Sequence, residues 1–155
     1  METLLMREPL PDRRYSWSQK VRIGGQTVYL SVGEYADGRP GELFVDISKQ
    51  GTFLRGVMGA LARTCSIALQ CGADVAVIIH ALRGASYPPE GMVEGSEAVQ
   101  MASSVTDWIA RELAAHYAIP IESLQSSSDL FGPLPSTDDG DSDTEDYDTY
   151  ETPAA

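Results

Sequence analysis

Three runs of alternating apolar and polar residues, joined by glycine-rich turn sequences, constrain the fold of this chain most strongly. Gly24 and Gly25 separate the first run from the second, and tight turns that suit strand twist need the positive φ that glycine allows. The segment YADGRPG separates the second run from the third and contains the turn dipeptides Asp-Gly and Pro-Gly. The pattern predicts a three-stranded antiparallel β-meander, and these residues share one face of their strands: Val21 and Ile23, then Val28 and Leu30, then Leu43, Val45 and Ile47.

Helical spacing of apolar residues follows the meander in three places. The first helix is expected to begin with Thr52 as its N-cap and to stop at Gly72. The second runs from its cap at Asp74 to Gly84, although its Val-Ile-Ile run also suits a buried strand. The third is predicted to start near Ser96. The buried stripes would be Leu54, Met58, Leu61, Cys65 and Ala68 in the first helix, and Ala98, Ala102, Val105, Ile109 and Leu113 in the third.

Together these elements predict an α+β fold, a small three-stranded antiparallel β-meander covered by about three helices. Four small residues of the first helix, Gly56, Gly59, Ala60 and Ala62, indicate close packing against another element. The stretch 86–95 is predicted to be an irregular loop because it holds two prolines and two glycines. Five glycines are predicted to serve turns or helix ends: Gly24, Gly25, Gly38, Gly41 and Gly72.

The net charge of −12 is concentrated near the C-terminus. From Glu122 onward the sequence has ten acidic side chains and no basic one, whereas the preceding part is nearly neutral. That segment is rich in Ser, Asp and Thr, so it buries too little apolar surface to offset the entropy of ordering. We therefore expect a basic arm over 1–17, an α+β domain over 18–118 and a disordered acidic tail over 119–155.

Neither the N-terminus nor any internal stretch has the features of a secreted or membrane-spanning protein. The charges near the N-terminus follow a very short apolar stretch, unlike those of a signal peptide. No apolar run approaches the roughly 20 residues that cross a bilayer. Two cysteines are too few for a disulfide framework. We therefore expect a cytoplasmic location without membrane contact.

The cysteines and histidines form no recognisable catalytic or metal-binding pattern. Cys65 and Cys71 are six residues apart on one predicted helix, so they point about 120° apart and cannot pair there. Buried structural thiols are the simpler interpretation, and a redox or metal role is the alternative. His80 and His116 are interpreted as helix-surface or helix-end residues because neither lies in a known nucleophile or ligand motif.

Two charged clusters are candidate ligand or partner contacts. The first interleaves basic and aromatic residues near the N-terminus, which is typical of a phosphate or nucleic-acid contact, with a solvated or ion-paired arm as the alternative. The second lies in the turn after the second run, where simple turn chemistry competes with a partner contact. There Glu34 and Glu42 are expected to face each other across the hairpin. The candidate contact residues are Arg13, Arg14, Lys20, Arg22, Tyr35, Asp37, Arg39 and Glu42.

The order of these segments resembles one known family over residues 10–117. Each motif is weak alone, but their order and spacing together are fairly specific. The chain is similar to the TSCPD domain, the C-terminal domain of adenosylcobalamin-dependent (class II) ribonucleotide reductases, here as a stand-alone chain. The resemblance rests on LPDRR (10–14), VYLSVGEYADGRPGELFVDI (28–47), SIALQCG (66–72), the P-x-G-x-V pattern of 89–93 and SSVTDWIARELA (103–114).

The resemblance implies a role in ribonucleotide reduction and so in deoxyribonucleotide supply for DNA synthesis. The family enzyme uses adenosylcobalamin, a thiyl-forming cysteine and a reducing cysteine pair on a large barrel. This sequence has no counterpart of the barrel, and neither Cys65 nor Cys71 matches those cysteines, so no catalytic residue, cofactor or metal is assigned to it. The implied function is an accessory or regulatory module that binds a large reductase chain or a nucleotide.

Two other functions fit the residues. A protein-interaction adaptor would dock through the acidic tail or its apolar island DLFGPLP (129–135). A nucleic-acid-associated protein would use the arginines of the basic arm, with the tail as an electrostatic competitor. The nearly neutral domain disfavours nucleic acid as the partner.

Overall fold

The computed structural model describes residues 6–47 and 51–123, which form an antiparallel sheet with three α-helices. The α+β prediction is confirmed, but the sheet has five strands in the order β3-β2-β1-β4-β5 rather than three. Of the tail predicted to be disordered over 119–155, the structure describes residues 119–123, and these are ordered: the amide of Ile119 donates to the carbonyl of Ala114 at 2.8 Å, and Ile119 and Ile121 pack against the core. The rest of the predicted tail, 124–155, lies outside the described residues. The elements are β1 (Tyr15–Ile23), β2 (Gln26–Glu34), β3 (Pro40–Ile47), α1 (Thr52–Gln70), α2 (Val75–Leu82), β4 (Gly91–Glu94), β5 (Met101–Ala102), α3 (Val105–His116) and a 3-10 turn (Ile121–Ser123).

The meander of β1, β2 and β3 is antiparallel, as predicted. Gly24 and Gly25 form the first turn with φ of 54° and 86°, and Val21 pairs with Val28 across it. The predicted apolar face is the inner face of the sheet, where Val21, Ile23, Val28, Leu30 and Ile47 are at most 1% exposed. The opposite side, the outer face, carries the intervening residues. β1 begins at Tyr15, so the strand includes the last residues of the predicted basic arm.

The prediction of an irregular loop over 86–95 is wrong, because Gly91–Glu94 form β4 beside β1. Only two residue pairs join these strands, among them Ile23 with Val93. The strand is four residues long and is bounded by glycines at 91 and 95, so its sequence lacks the length of a normal alternating pattern.

The predicted start of the third helix near Ser96 is also wrong, because α3 begins at Val105. Ser104 is its N-cap, and its side chain accepts a hydrogen bond from the amide of Asp107. The residues before it form a turn and β5, in which Ala102 is buried as a strand residue. Their apolar spacing happened to continue the helical pattern of α3.

Helix α1 also departs from expectation at its start. Its N-cap is Gly51 rather than Thr52, without a side-chain cap, whereas its end before Gly72 (φ 95°) is confirmed. Of its predicted stripe, Met58 and Cys65 are buried and Leu54, Leu61 and Ala68 are partly buried. The small residues do not mark a close contact: Ala62 is buried, but Gly56, Gly59 and Ala60 face open space or solvent.

Helix α1 covers the free edge of β3. The hydroxyl of Ser66 accepts the amide of Leu43 at 2.9 Å, and the side-chain amide of Gln70 donates to the carbonyl of Gly41 at 2.9 Å. These bonds satisfy backbone groups that an edge strand otherwise exposes. Helix α2, capped by Asp74 as predicted, is helical rather than extended and packs on α3, whose Trp108 is fully buried.

Candidate functional site

The outer face of the meander presents two aromatic rings to solvent. Phe44 is 57% exposed and Tyr29 is 39% exposed. Phe44 lies opposite Ser31 and Tyr29 lies opposite Asp46, so the two rings are diagonal neighbours on adjacent strands. Rings on an open sheet are available to a flat, apolar ligand group.

A cation lies over one of these rings, and the nearby carboxylates are in ion pairs with arginines. The ammonium nitrogen of Lys20 lies 5.6 Å from the ring centroid of Tyr29. Asp46 Oδ1 lies 3.1 Å from a guanidinium nitrogen of Arg55. Glu42 lies on the same face of β3, and its Oε2 is 2.7 Å from a guanidinium nitrogen of Arg14.

A groove of about 670 Å³ runs between the outer face of β3 and helix α1. Arg63 projects from α1 on this side and has no ion-pair partner among the described residues. At one end, Arg7 Nε donates to the side-chain oxygen of Gln70 at 2.6 Å. The residues that matter for the groove's chemistry are Tyr29, Phe44, Arg7, Arg63, Glu42 and Asp46.

The structure distributes the predicted basic cluster rather than gathering it into one patch. Arg13 is exposed, and Arg22 donates to the carbonyl of Gly25 at 3.3 Å. Arg14 bonds Glu42, and Lys20 lies over the ring of Tyr29, so these two border the outer face. Whether any of the four contacts a ligand stays a prediction.

The hairpin turn is held by its own side chains. Asp37 accepts the backbone amide of Arg39 at 3.1 Å and its guanidinium at 2.7 Å, and Arg39 lies 4.9 Å from the ring of Tyr35. The hydrogen bond to Arg39 lowers the pKa of Asp37 and raises the pKa of Arg39. The turn chemistry explains these residues locally, and a partner contact by Tyr35, Asp37 or Arg39 stays a prediction.

Tyr35 and Gly41 fit together beneath that turn. Tyr35 is 7% exposed, its hydroxyl donates to the carbonyl of Glu8, and burial together with Glu8 raises its pKa. Gly41 lies in β3 rather than in the turn, and a Cβ there would lie 2.6 Å from the Tyr35 ring. Space, not a positive φ, is the reason for this glycine, whereas Gly38 has φ of 87° in the turn itself.

Glu34 and Glu42 do not face each other, because they point to opposite faces. Glu42 pairs with Gly33 on the outer face, where Arg14 binds it. Glu34 points inward and accepts the hydroxyl of Tyr117 at 2.8 Å. A register shift at Gly33 and Glu34 places Glu34 opposite Pro40. The prediction that the two carboxylates face each other is therefore wrong.

An aromatic cluster joins the start of β1 to the end of α3. Trp17 stacks on His116 with ring centroids 4.1 Å apart, and its indole nitrogen donates to the hydroxyl of Tyr117 at 3.2 Å. His116 Nε2 lies 3.5 Å from Glu34 Oε1. Burial raises the pKa of Tyr117, the bond from Trp17 lowers it and Glu34 raises it again. The cluster fastens the two elements, and it confirms His116 as a helix-end residue.

The two cysteines are free thiols. Cys65 is buried, and burial raises its pKa, so the unreactive thiol form is favoured. His80 was interpreted as a helix-surface or helix-end residue: it lies in the last turn of α2, but at 5% exposure it is buried and not on the surface. Within residues 6–47 and 51–123, no cluster of His, Cys, Asp and Glu has the geometry of a metal site.

Two neighbouring exposed surfaces were not predicted from the sequence. One is the groove between β3 and α1, and the other is a stripe of apolar side chains on α1. The alternation of β3 places Phe44 on the face away from the core, and its place in a groove depends on where α1 packs. On α1, Phe53, Val57 and Ile67 are 83%, 43% and 43% exposed and form what we call the α1 outer stripe. Phe53 and Val57 are four residues apart, a signal for one helix face that was available from the sequence.

The sequence is similar to proteins named vitamin B12-dependent ribonucleotide reductase. It is 41% identical over 111 residues to the protein of Agrobacterium fabrum, 40% over 111 residues to that of Bradyrhizobium diazoefficiens and 32% over 117 residues to that of Streptomyces avermitilis. The aligned parts are 72%, 72% and 76% of this chain but only 9%, 9% and 12% of those proteins. The chain thus spans about a tenth of the relatives it matches.

No solved structure matches the chain. None of the helices in the described part is long and apolar enough to cross a membrane. The family model of the TSCPD domain matches residues 6–117, which include the whole sheet and all three helices. The predicted resemblance is confirmed, and this chain belongs to the TSCPD domain family.

Proposed function

We propose that this TSCPD domain is an accessory module of ribonucleotide reduction that binds a large reductase chain. The observation that carries the proposal is the 41% identity to about a tenth of a vitamin B12-dependent ribonucleotide reductase. In those proteins the remaining nine-tenths of the chain are available for catalysis and for contact with this domain. A role beside a catalytic body, rather than catalysis, suits a domain of this size.

The chemistry of the described residues supports a non-catalytic role. Radical reduction needs accessible, redox-active cysteines, and Cys65 is buried with its pKa raised. Cys71 is partly exposed, but it is a free thiol and is not bonded to Cys65. Adenosylcobalamin and the reducing cysteines would therefore belong to the large chain.

The α1 outer stripe is the surface best suited to that chain. Phe53 is the largest of its exposed apolar side chains, and exposed aromatic residues are typical anchors of protein interfaces. Helix α1 has two arginines, Arg55 and Arg63, and no acidic residue. The partner surface that fits is an apolar depression with acidic groups at its rim.

The test uses the reductase of Agrobacterium fabrum, prepared with and without the region that matches this chain. We expect the form without that region to bind this chain in a biolayer interferometry experiment. Replacing Phe53 and Val57 together by alanine is expected to weaken binding at least about tenfold. Val77→Ala is the matched control, because Val77 is 51% exposed on α2, away from the stripe.

The possible results test the accessory role and the α1 interface separately. Absence of saturable binding to either form of the reductase would contradict the accessory role. Binding that the double variant leaves unchanged would move the interface away from α1. Binding that weakens steeply with salt and ignores the stripe would favour docking through the acidic tail instead.

A further inference from the structure

The groove between β3 and α1 has the parts of a nucleotide site. Its floor carries Tyr29 and Phe44, whose rings lie on one face of the sheet as diagonal neighbours. Proteins that bind bases without a deep pocket stack them on aromatic rings of an open sheet. The side chain of Phe44 is 57% exposed, so its ring is open to a base.

The charges of the groove favour a phosphate. Arg63 on the helix wall has no ion-pair partner among the described residues, and Arg7 at the end contacts a neutral amide. Lys20 adds a third cation beside Tyr29. A guanidinium without a carboxylate partner is well suited to bind phosphate oxygens.

The two carboxylates that line the groove are already neutralised. Glu42 Oε2 lies 2.7 Å from Arg14, and Asp46 Oδ1 lies 3.1 Å from Arg55. Their charges therefore do not cancel those of Arg63, Arg7 and Lys20. The groove as a whole is cationic although the chain has a net charge of −12.

The size of the groove and the charge of the chain select a small ligand over a polymer. A volume of about 670 Å³ is within the range of ordinary small-molecule sites. A long polyanion would extend beyond the groove over a domain that is nearly neutral, whereas a single nucleotide meets only the local cations. We propose that this groove binds one free nucleotide, with its base on Phe44 and Tyr29 and its phosphates toward Arg63 and Arg7.

The test is isothermal titration calorimetry of the full chain with ATP and with dATP. We expect saturable binding at one site. Phe44→Ala is expected to weaken binding about tenfold through lost stacking, and Arg63→Gln by a similar factor through a lost phosphate contact. Inorganic triphosphate, which has no base, should bind more weakly than ATP and should be insensitive to Phe44→Ala.

Matched controls use residues outside the groove. Phe53→Ala removes a ring from α1 that is 83% exposed, compared with 57% for Phe44, and Arg111→Gln removes a cation from α3. Both are expected to bind ATP like the natural chain. Because Phe44 and Arg63 are exposed, the variants should fold, and far-UV circular dichroism with thermal unfolding verifies this.

Three outcomes would overturn the nucleotide site. One is the lack of saturable binding of either nucleotide. Another is equal loss of binding in Phe53→Ala and Phe44→Ala. The third is tighter binding of a twelve-nucleotide single strand than of ATP, which would make the surface a nucleic-acid contact. None of these measurements needs the reductase, so their failure is distinct from failure of the accessory role.

Discussion

The inner face of the meander is closed by the rest of the domain, whereas its outer face meets solvent. On the inner face Leu30 and Val32 have no exposed surface. On the outer face, Tyr29 next to Leu30 in β2 and Phe44 in β3 remain open. The same three strands therefore hold the fold together with one face and offer a binding surface with the other.

The difference between the two faces shows which side chains contribute to folding and which are available for binding. Burial of an inner side chain contributes to stability, because its removal leaves a cavity in a packed core. An outer side chain contacts few neighbours, so its removal changes mainly the surface. Substitutions on the two faces should therefore give opposite results in unfolding and binding experiments.

The largest expected effect comes from the inner face. Leu30→Ala should lower the free energy of unfolding by about 2–5 kcal/mol, because the side chain is fully buried in the core. Phe44→Ala, which removes a larger side chain from the outer face, should change it by less than about 0.5 kcal/mol. Urea unfolding followed by circular dichroism measures both. Similar losses in the two variants would break the distinction between the faces.

An intermediate effect is expected where α1 closes the edge of β3. Ser66→Ala should cost about 1–3 kcal/mol of unfolding free energy, because it leaves the buried amide of Leu43 without its acceptor. Thr64→Ala is the control, since Thr64 is exposed and bonds only the carbonyl of Ala60 within the helix. Equal stability of the two variants in urea would show that α1 does not depend on this edge contact.

The meander was predictable from sequence because its alternation is long and its turns are explicit. The two-residue period of a β-strand is enough to place Leu30 and Tyr29 on opposite faces. The turn at Gly24-Gly25 is likewise predictable without knowledge of tertiary contacts. β4 was missed because a four-residue strand that begins with Gly91 and is followed by Gly95 carries too little pattern, and because its pairing with β1 depends on tertiary contacts.

The candidate site was less accessible to sequence reasoning than the fold. The alternation of apolar and polar residues in β3 predicts that Phe44 points away from the core, but it does not predict which residues lie beside Phe44. The groove exists because α1 packs along the edge of β3, and this packing depends on bonds such as that of Gln70 to Gly41. Side chains far apart in the sequence, such as Phe44 and Arg63, become neighbours only through that packing.

The smallest expected effect tests the boundary of the inner face, where Trp17 and Tyr117 are only partly buried. Burial raises the pKa of Tyr117 above its ordinary value of 10.0, and the negative charge of Glu34 adds to the shift. A raised pKa in the folded state means that this group stabilises the fold below pH 10. This stabilisation is lost as the pH rises above 10, because Tyr117 ionises at a lower pH in the unfolded chain than in the folded chain.

Tyr117→Phe removes both the titrating hydroxyl and its bonds. At pH 8 the variant should lose about 0.5–1.5 kcal/mol of unfolding free energy, because Glu34 and Trp17 lose a hydrogen-bond partner. Between pH 9 and pH 11 the natural chain should lose more stability than the variant, so the gap between them narrows. Urea unfolding at pH 8, 9, 10 and 11 measures the gap. A gap that stays constant would mean that the Tyr117 hydroxyl titrates alike in the folded and unfolded chain, and that this edge of the inner face is as open to water as the outer face.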